Sequence, residues 1–553
     1  MGFSSFEPQL FGASRENSFV KANYIVLLSL IAVILRLWQA WPRRADTPVL
    51  SHHKGWSAPW KDAARYLKDS PGVLKEGYER NAKDTVLLSI PCKQYSKHGQ
   101  FFQVSTPTRW FIVAPPKYID EIREAPEEYL SPRVSANDVV QTKYTVSPIV
   151  EANKFHLATI KTALTPSLGS KNDDILDEIE LSFANEIGAC DGDPSPQIGN
   201  CASLTYLDWK PIPMSQKAHR IVTRTANRVL VGAPLCRNEE YLQMSIKYTI
   251  DVFGGADKLR GYPDFLKLPA TYFVTNVNQQ QAIARKHLLP YIQARLAAER
   301  KYLDAGKSKE WQREKPQDSL QWVIDAAPNA KERQPNRLVY RILHINVAAV
   351  HTTSVTFLNC VFDLATHPEI HDELRHEVES VIQQKGWTKQ GLNDLKKIDS
   401  LMTESQRLSP IASLPIMTVA QMTRGVTRDF TFSDGTTVPK GAFVLVPLLA
   451  LYTDNDVFPD AEKFDAFRFS RLRERPGEES RHQFVTTSTT HINFGHGKHA
   501  CPGRFFASNE IKLLLAYTLL NYDLKLAGPA PQATWFDRSR RPDLKAQVLF
   551  RKR

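Results

Sequence analysis

A single cysteine near the C-terminus lies in the segment 494–504, which reads Phe-Gly-His-Gly-Lys-His-Ala-Cys-Pro-Gly-Arg. Gly495 and Gly497 allow a tight turn and a close approach of the backbone to a flat, bulky group. The apolar run after Cys501 predicts a helix with Cys501 as its N-cap and Pro502 at its first position. The helix dipole there lowers the pKa of the thiol and favours the thiolate, which is a ligand for haem iron. The alternative is a buried, inert cysteine at a helix start.

A second group of candidate residues lies in the long apolar segment from Arg337 to Thr366, which predicts a helix through the middle of a core. Ala348 and Ala349 leave space beside this helix for a flat cofactor and a small gas molecule. Thr352 follows Ala348 by one turn, so we expect its hydroxyl to donate a hydrogen bond to the Ala348 carbonyl. Taken alone, the segment also fits an ordinary buried helix with satisfied hydroxyls.

An acid and a base lie three residues apart at Glu404 and Arg407, which places them on one face of a predicted helix. Taken alone, this pair fits a surface ion pair worth less than about 1 kcal/mol. The pair also lies about a hundred residues before Cys501, and this spacing is considered below together with the other motifs.

Taken in order, these motifs resemble those of the cytochrome P-450 family, and the cysteine loop is the most specific of them. The resemblance implies that the Cys501 thiolate is the axial ligand of haem, an iron protoporphyrin IX. It also implies that Phe494, Gly495 and Gly497 belong to the loop that binds the cofactor. His499 stands where most members have arginine, and the resemblance implies that its imidazole hydrogen-bonds a haem propionate.

The central segment resembles the oxygen-activating motif of that family, [Ala/Gly]-Gly-x-[Asp/Glu]-Thr-Thr. The resemblance implies that Thr352 steadies bound dioxygen and helps to deliver protons. Two positions depart from the motif, because Ala349 replaces a glycine and His351 replaces the acid. Histidine relays protons near neutral pH, so we list His351 beside Thr352 as a catalytic candidate.

Two further resemblances concern the surroundings of the cofactor. Arg468 matches the position of the residue that joins the Glu404 and Arg407 pair in a structural brace, and bidentate arginine–carboxylate contacts make such a brace rigid. Lys161 takes the position of a propionate-binding arginine, and His156 is the candidate to substitute for a missing tryptophan. For both, the alternative is an exposed side chain on a helix surface.

The resemblance implies a mainly α fold with a small β lobe and an NADPH-dependent monooxygenase served by NADPH–cytochrome P-450 reductase. The expected substrate is small and apolar, and the His-Thr-Thr sequence indicates a fungal terpenoid or indole-terpenoid intermediate of secondary metabolism. Leu343, Val347 and the segment 411–414 are expected to line its pocket. Two alternatives are a haem-thiolate isomerase or dehydratase that needs no reductase, and a haem-binding protein without activity.

An apolar segment at residues 22–41 approaches the length that spans a bilayer. Its uncharged core is short, but Arg36 can extend to the interface, where Trp38 and Trp41 also fit. Arginines on its C-terminal side place the following chain in the cytosol, which predicts a single-pass protein of the endoplasmic reticulum that contacts membrane lipid. A cleaved signal peptide or a buried core helix are the alternatives.

The amino-acid composition limits the possible partners and metal or disulfide sites of the chain. The 553 residues carry a net charge of +12, but the basic residues are spread along the chain without a nucleic-acid motif, so we expect no nucleic acid partner. The six cysteines show neither zinc nor disulfide spacing. The predicted organisation is an N-terminal tail at 1–21, a transmembrane helix at 22–41 and a haem-thiolate monooxygenase domain at 42–553.

The elements that must position these residues follow from local patterns. Strand signals between proline-rich turns predict a small β-rich lobe over about 45–130, and helical periodicity dominates from about 150 to 410. After residue 408 the pattern returns to strands, with a hairpin turn at Asp434-Gly435.

Overall fold

The computed structural model describes five parts of the chain, namely residues 45–79, 99–188, 209–410, 422–536 and 539–553. The predicted tail at 1–21 and the predicted transmembrane helix at 22–41 lie outside the described residues. Within these parts, helices dominate and the strands form small sheets, which agrees with the predicted mainly α fold with a small β lobe.

The α-helices, numbered along the described chain, are α1 (Ala58–Lys68), α2 (Ser70–Glu79), α3 (Ile119–Glu124), α4 (Pro132–Val140), α5 (Thr142–Thr145), α6 (Pro148–Ala152), α7 (Thr165–Glu186), α8 (Met214–Leu230), α9 (Glu239–Leu259), α10 (Asp264–Val274), α11 (Val277–Asp304), α12 (Ser308–Glu314), α13 (Ser319–Asp325), α14 (Pro335–Thr366), α15 (His371–Lys385), α16 (Lys389–Asp394), α17 (Lys396–Leu408), α18 (Leu448–Tyr452), α19 (Arg468–Arg473) and α20 (Arg504–Asn521). The strands are β1 (Phe102–Ser105), β2 (Trp110–Val113), β3 (Leu130–Ser131), β4 (Lys210–Ile212), β5 (Arg424–Val426), β6 (Phe430–Thr431), β7 (Thr437–Val438), β8 (Phe443–Leu445), β9 (Tyr522–Leu526), β10 (Thr534–Phe536), β11 (Ser539–Arg541) and β12 (Val548–Lys552).

The largest described sheet has five strands in the order β1-β2-β8-β5-β3. β1 and β2 are antiparallel, with Phe102 opposite Val113, and β2 runs parallel to β8. The prediction of a β lobe within residues 45–130 is therefore too local, because β5 and β8 come from the region after residue 422. A two-stranded hairpin is marginally stable alone, so β1 and β2 gain stability by pairing with distant strands. The same N-terminal region also contains the helices α1 and α2.

The central helix α14 has almost the predicted bounds. It begins with Pro335 at a position that favours proline, and it ends at Thr366, before a second proline at 368. It packs against α8, α9, α11 and α20. By length and composition α14 is apolar enough to cross a membrane, but 83 % of its most apolar window is buried inside the protein. It is therefore a core helix.

The hairpin predicted around Asp434-Gly435 is present. β6 and β7 pair antiparallel, with Phe430 opposite Val438. Gly435 has a φ of 87°, a conformation that glycine adopts at no steric cost.

The predicted brace of Glu404, Arg407 and Arg468 is also present. Arg407 donates two hydrogen bonds to the Glu404 carboxylate, at 2.8 and 2.7 Å. It donates two more to the carbonyl oxygens of Tyr452 and Ala461, at 2.6 and 2.5 Å. Arg468 Nε lies 3.2 Å from both oxygens of Glu404. The side chains of Glu404 and Arg407 are fully buried, so the alternative of a surface ion pair is wrong.

Candidate active site

Cys501 lies on a tight loop that its own backbone stabilises. The Cys501 N–H donates to the Phe494 carbonyl at 2.7 Å, and the Ala500 N–H donates to the Gly497 carbonyl at 3.0 Å. Gly495 and Gly497 have φ values of 71° and 75°, in the left-handed region that favours glycine. Both glycines therefore serve the tight turn that the sequence predicted.

The helix after this loop begins later than predicted. α20 starts at Arg504 with Gly503 as its cap, so the predictions of Cys501 as N-cap and Pro502 as first helical residue are wrong. Residues 502 and 503 form a turn, and the Gly503 carbonyl accepts the first helical bond, from Ala507 N–H at 3.0 Å.

The electrostatic consequence also differs from the prediction. Burial raises the pKa of the Cys501 thiol, although the backbone N–H groups of Gly503 and Arg504 and the charge of Arg504 act in the opposite direction. Arg504 Nη1 also donates to the Cys501 carbonyl at 2.8 Å, which fixes the loop to α20. The residue as a whole is partly exposed, and binding of a metal cation deprotonates a thiol.

One narrow face of α14 is open although the helix is buried elsewhere. Between residues 341 and 362 every side chain is buried except those of His344, Ala348, Ala349 and Thr352. Three of these, His344, Ala348 and Thr352, are four residues apart and form one stripe along the helix. The Thr352 hydroxyl donates to the Ala348 carbonyl at 2.8 Å, as predicted. A planar group therefore has access to α14 where the side chains are smallest.

His351 is next to Thr352 but points into the interior. Its Nδ1 lies 3.2 Å from Nε2 of His219 on α8, and the His219 Nδ1 donates to the Ser215 carbonyl at 2.8 Å. Burial, assisted by His219, lowers the pKa of His351 to about 3. His351 is therefore neutral at physiological pH. His219 was not identified from the sequence, because it lies 132 residues away from its partner.

Several cations converge on the side of the Cys501 loop that carries His499. Burial lowers the pKa of His499, and the positive charges of Arg424, Lys498 and Lys161 act in the same direction. The acid in this group is Glu127, whose Oε1 lies 3.3 Å from His499 Nε2. Lys161 is exposed, so its ammonium group is accessible to the carboxylate of a bound ligand. The predicted residues Lys161 and His499 are therefore near enough to interact through charge.

Arg424 is a member of this cationic group that the sequence analysis missed. It begins β5, it is almost fully buried, and burial lowers its pKa to about 10. A buried arginine needs an anionic partner, and Glu127 is the nearby acid that raises its pKa. An isolated arginine in a short strand gives no signal in the sequence.

His156 is placed differently from Lys161. Its side chain is fully buried, with Nε2 2.8 Å from Nδ1 of His344 and Nδ1 3.4 Å from Nη1 of Arg341. Both ring nitrogens therefore have protein partners, and the structure does not bring His156 to the cationic group around His499. The role of His156 toward a propionate stays a prediction.

Two loop residues also have protein neighbours. Phe494 packs edge-on against Phe484, with ring centroids 5.1 Å apart. A Cβ on Gly497 would lie 2.3 Å from Cγ of Arg123, so this glycine makes room for that arginine. By contrast, a Cβ on Gly495 would make only ordinary contacts, because its nearest neighbouring atom would be 3.7 Å away.

The expectation for the substrate pocket is off by one residue. Leu343 and Val347 are 1 % and 3 % exposed and pack into the core, so the prediction that they line a pocket is wrong. The residues one position later, His344 and Ala348, are on the open face instead. One residue rotates a helix position by about 100°, which moves a side chain to another face. The segment 411–414 lies outside the described residues.

These residues fit a haem by the chemistry of their donors. A cysteine supplies a soft thiolate for iron, and convergent cations suit the two propionate groups. The open face of α14 has small side chains where a planar ring needs space. α20, which follows the Cys501 loop, packs directly against α14 and so connects the two sides of the site.

Comparisons with known proteins agree with this geometry. Residues 82–549 match the family model described as Cytochrome P450. Cytochrome P450 monooxygenase 151 of Postia placenta is 35 % identical over 529 residues, which cover 94 % of this chain and 96 % of the relative. Cytochrome P450 monooxygenase olcJ of Penicillium canescens is 32 % identical over 542 residues, which cover 96 % of this chain and 93 % of the relative.

Proposed function

Because the chain belongs to the cytochrome P450 family and is a haem-dependent monooxygenase, we propose that it oxidises an apolar terpenoid or indole-terpenoid intermediate. In this proposal the reaction belongs to fungal secondary metabolism and takes place at the endoplasmic reticulum membrane. We further propose that Cys501 binds the iron. The observation that carries the assignment is the Cys501 loop, with its left-handed glycines and the cations beside it.

The residues around the cofactor have separable roles in this proposal. Haem bound through cysteine supplies the oxygen-activating and electron-accepting chemistry. Lys161, Arg424 and His499 hold the propionates by charge-assisted hydrogen bonds. The Thr352 hydroxyl, which already bonds its own helix at 2.8 Å, orients protons toward the open face. His351 passes protons from the interior side of α14.

The apolar character of the substrate is supported by the same face. Ala348 and Ala349 have no charged or bulky side chain. An apolar molecule that binds against them therefore displaces no water from a polar side chain. The His351-Thr352-Thr353 sequence is the feature that favours a terpenoid or indole-terpenoid skeleton.

Membrane association is supported by two features of the chain. The apolar segment 22–41 approaches the length that a single span requires. In addition, α10 exposes Phe265, Tyr272 and Phe273, whose exposed fractions are 73 %, 68 % and 88 %. Large aromatic side chains in water are typical of surfaces that contact lipid or another protein. In this proposal α10 rests on the cytosolic leaflet, and NADPH–cytochrome P-450 reductase in the same membrane supplies the electrons.

The test compares cysteine variants in microsomes that contain the reductase. Cys501→Ala and Cys501→Ser are expected to lose the red-shifted Soret band of the reduced carbon monoxide complex, because the thiolate produces it. Cys360→Ala is the matched control, because Cys360 is a buried thiol inside α14 and its substitution leaves the sequence of the Cys501 loop unchanged. A red-shifted band that survives in Cys501→Ala would contradict the ligand assignment.

The same microsomes separate the proposed oxygenase from its alternatives. With an extract of the host's terpenoids, we expect a product heavier by one oxygen whose formation requires NADPH and the reductase. A haem-thiolate isomerase or dehydratase forms product without them, and an inactive haem-binding protein forms none. Thr352→Ala is expected to release more hydrogen peroxide per product, and unchanged coupling would remove Thr352 from the mechanism.

A further inference from the structure

His344 is the polar member of the open stripe on α14, one turn before Ala348. Its side chain is partly exposed, whereas the residues on both sides of it are buried. The proposed function uses Ala348 and Thr352 of this stripe and leaves His344 without a role. An imidazole on an otherwise apolar helix face costs free energy unless its nitrogens make hydrogen bonds, so its partners decide what it does.

One nitrogen of His344 is held by a chain of buried groups. His344 Nδ1 lies 2.8 Å from Nε2 of His156, and His156 Nδ1 lies 3.4 Å from Nη1 of Arg341. Arg341 is fixed in turn by Glu332 at 2.7 Å and by the Ile149 carbonyl at 3.1 Å. Among the described residues, no hydrogen-bond partner faces Nε2 of His344.

The partners assign the positions of the protons along this chain. Arginine only donates, so His156 Nδ1 must accept and the proton of neutral His156 is on Nε2. His156 Nε2 then donates to His344 Nδ1, which leaves the proton of neutral His344 on its own Nε2. Burial lowers the pKa of His156 to about 2 and of His344 to about 4, so both rings are neutral at physiological pH. The opposite arrangement would direct two N–H groups at each other.

The geometry points to His344 Nε2–H as a fixed hydrogen-bond donor that positions the substrate through a neutral oxygen acceptor. This inference rests on the proposed function and narrows its substrate class. The substrate is an apolar skeleton that already carries a carbonyl, ether or hydroxyl oxygen. The backbone of His344 lies about 6 Å along the helix axis from that of Ala348, since four residues of an α-helix rise by that distance.

A donor that is fixed in one tautomer discriminates between ligands. A substrate without the oxygen covers this N–H and leaves it unpaired, which disfavours binding. His344 is therefore expected to select the oxygenated molecule from its hydrocarbon precursor. The class of reaction that supplies the substrate is then an earlier oxygenation or a cyclisation that retains oxygen.

The experiment measures azole ligands whose imidazole nitrogen binds the iron and shifts the Soret band. The probes are 4-phenylimidazoles with an acetyl group at the ortho, meta or para position, each paired with the isopropyl analogue of similar shape. In the full-length wild-type enzyme, we expect the acetyl ligand of at least one pair to bind about fivefold tighter. This factor corresponds to one neutral hydrogen bond.

The variants distinguish a donor from a structural residue. His344→Phe is expected to abolish the acetyl advantage and to leave the affinity for the isopropyl ligands within twofold. His344→Gln keeps an N–H donor and is expected to keep part of the advantage. His376→Phe, at an exposed position on α15, is the matched control and is expected to behave as wild type.

The outcomes separate this inference from the proposed function. An acetyl advantage that is equal in His344→Phe and wild type, or that no position shows in wild type, overturns the role of His344. If no azole shifts the Soret band of the wild-type enzyme, the assignment of a haem-thiolate site fails instead. Loss of the acetyl advantage in His344→Phe with retention in His376→Phe supports the donor.

Discussion

The two glycines of the cysteine loop look alike in sequence, but the structure predicts that they tolerate alanine differently. Both have positive φ, which costs an alanine about 1–2 kcal/mol in each case. A Cβ at 495 meets only ordinary contacts, with the nearest atom, the His499 carbonyl oxygen, at 3.7 Å. A Cβ at 497 would lie 2.3 and 2.5 Å from Cγ and Cδ of Arg123, so that side chain must move. Gly497→Ala is therefore expected to be the more damaging change.

The size of the difference follows from what Arg123 gives up. Its guanidinium contacts Asp120 at 3.2 Å and Glu124 at 2.6 Å, and such exposed pairs are worth less than about 1 kcal/mol each. Forcing an extra methyl group into a packed site costs about 1–3 kcal/mol. We expect Gly495→Ala to lower the free energy of unfolding by about 1–2 kcal/mol, and Gly497→Ala by about 2–5 kcal/mol.

A double-mutant cycle with Arg123→Ala isolates the steric part. The assay is urea unfolding of the haem-loaded enzyme, with comparison of midpoints at an unchanged m value. In the Arg123→Ala background, Gly497→Ala is expected to cost no more than Gly495→Ala, which gives a coupling of about 1–3 kcal/mol. Gly495→Ala and Arg123→Ala are expected to add within about 0.5 kcal/mol. Equal costs of Gly497→Ala in both backgrounds would refute the steric reasoning.

Three further predictions concern the brace, a buried acid and the membrane face. Arg407→Met removes four buried hydrogen bonds and is expected to cost about 3–5 kcal/mol, more than Arg468→Met, with the yield of folded haem protein as the readout. Burial raises the pKa of Glu510 from 4.5 to about 8, so the stability that its proton gives is complete below pH 4.5 and is lost as pH rises toward 8. Glu510→Gln is therefore expected to be neutral near pH 5 and stabilising near pH 8 in thermal unfolding, and a pH-independent difference would contradict this. Phe265→Ser with Phe273→Ser is expected to weaken flotation of the enzyme with phosphatidylserine-containing vesicles. Leu544→Ser, at a 66 % exposed position outside α10, is the control.

What the sequence predicted well depends on short-range spacing. Glu404 and Arg407 lie three apart on one helix, and Thr352 bonds the carbonyl four residues before it, so both contacts follow from helix geometry alone. The central helix was also accurate, because Pro335 and the proline at 368 bracket a long apolar run.

The contacts that sequence patterns do not reveal join residues that are distant along the chain. His156 pairs with His344 across 188 residues, and Arg424 joins the cations around His499 from a strand with no motif. The error at Leu343 has a different cause. An apolar helix offers almost the same pattern on every side, so periodicity alone does not identify which face its neighbours leave open.

Two histidine pairs involve the central helix, and the groups at their ends place their protons differently. The His344 pair ends on Arg341, a donor, so two N–H groups complete its hydrogen bonds and a third proton would face a cation. The His351 pair ends on the Ser215 carbonyl, and at its other end Nε2 of His351 is buried without a hydrogen-bond partner among the described residues. His219 Nδ1 donates to that carbonyl, so His219 Nε2 accepts from His351 Nδ1 and the neutral His351 has no proton on Nε2. Burial lowers the pKa of His351 to about 3, so a third proton is disfavoured at physiological pH. The His344 pair therefore ends on an N–H donor at the open face, as the inference above requires, whereas the His351 pair ends on an unprotonated Nε2 inside the protein.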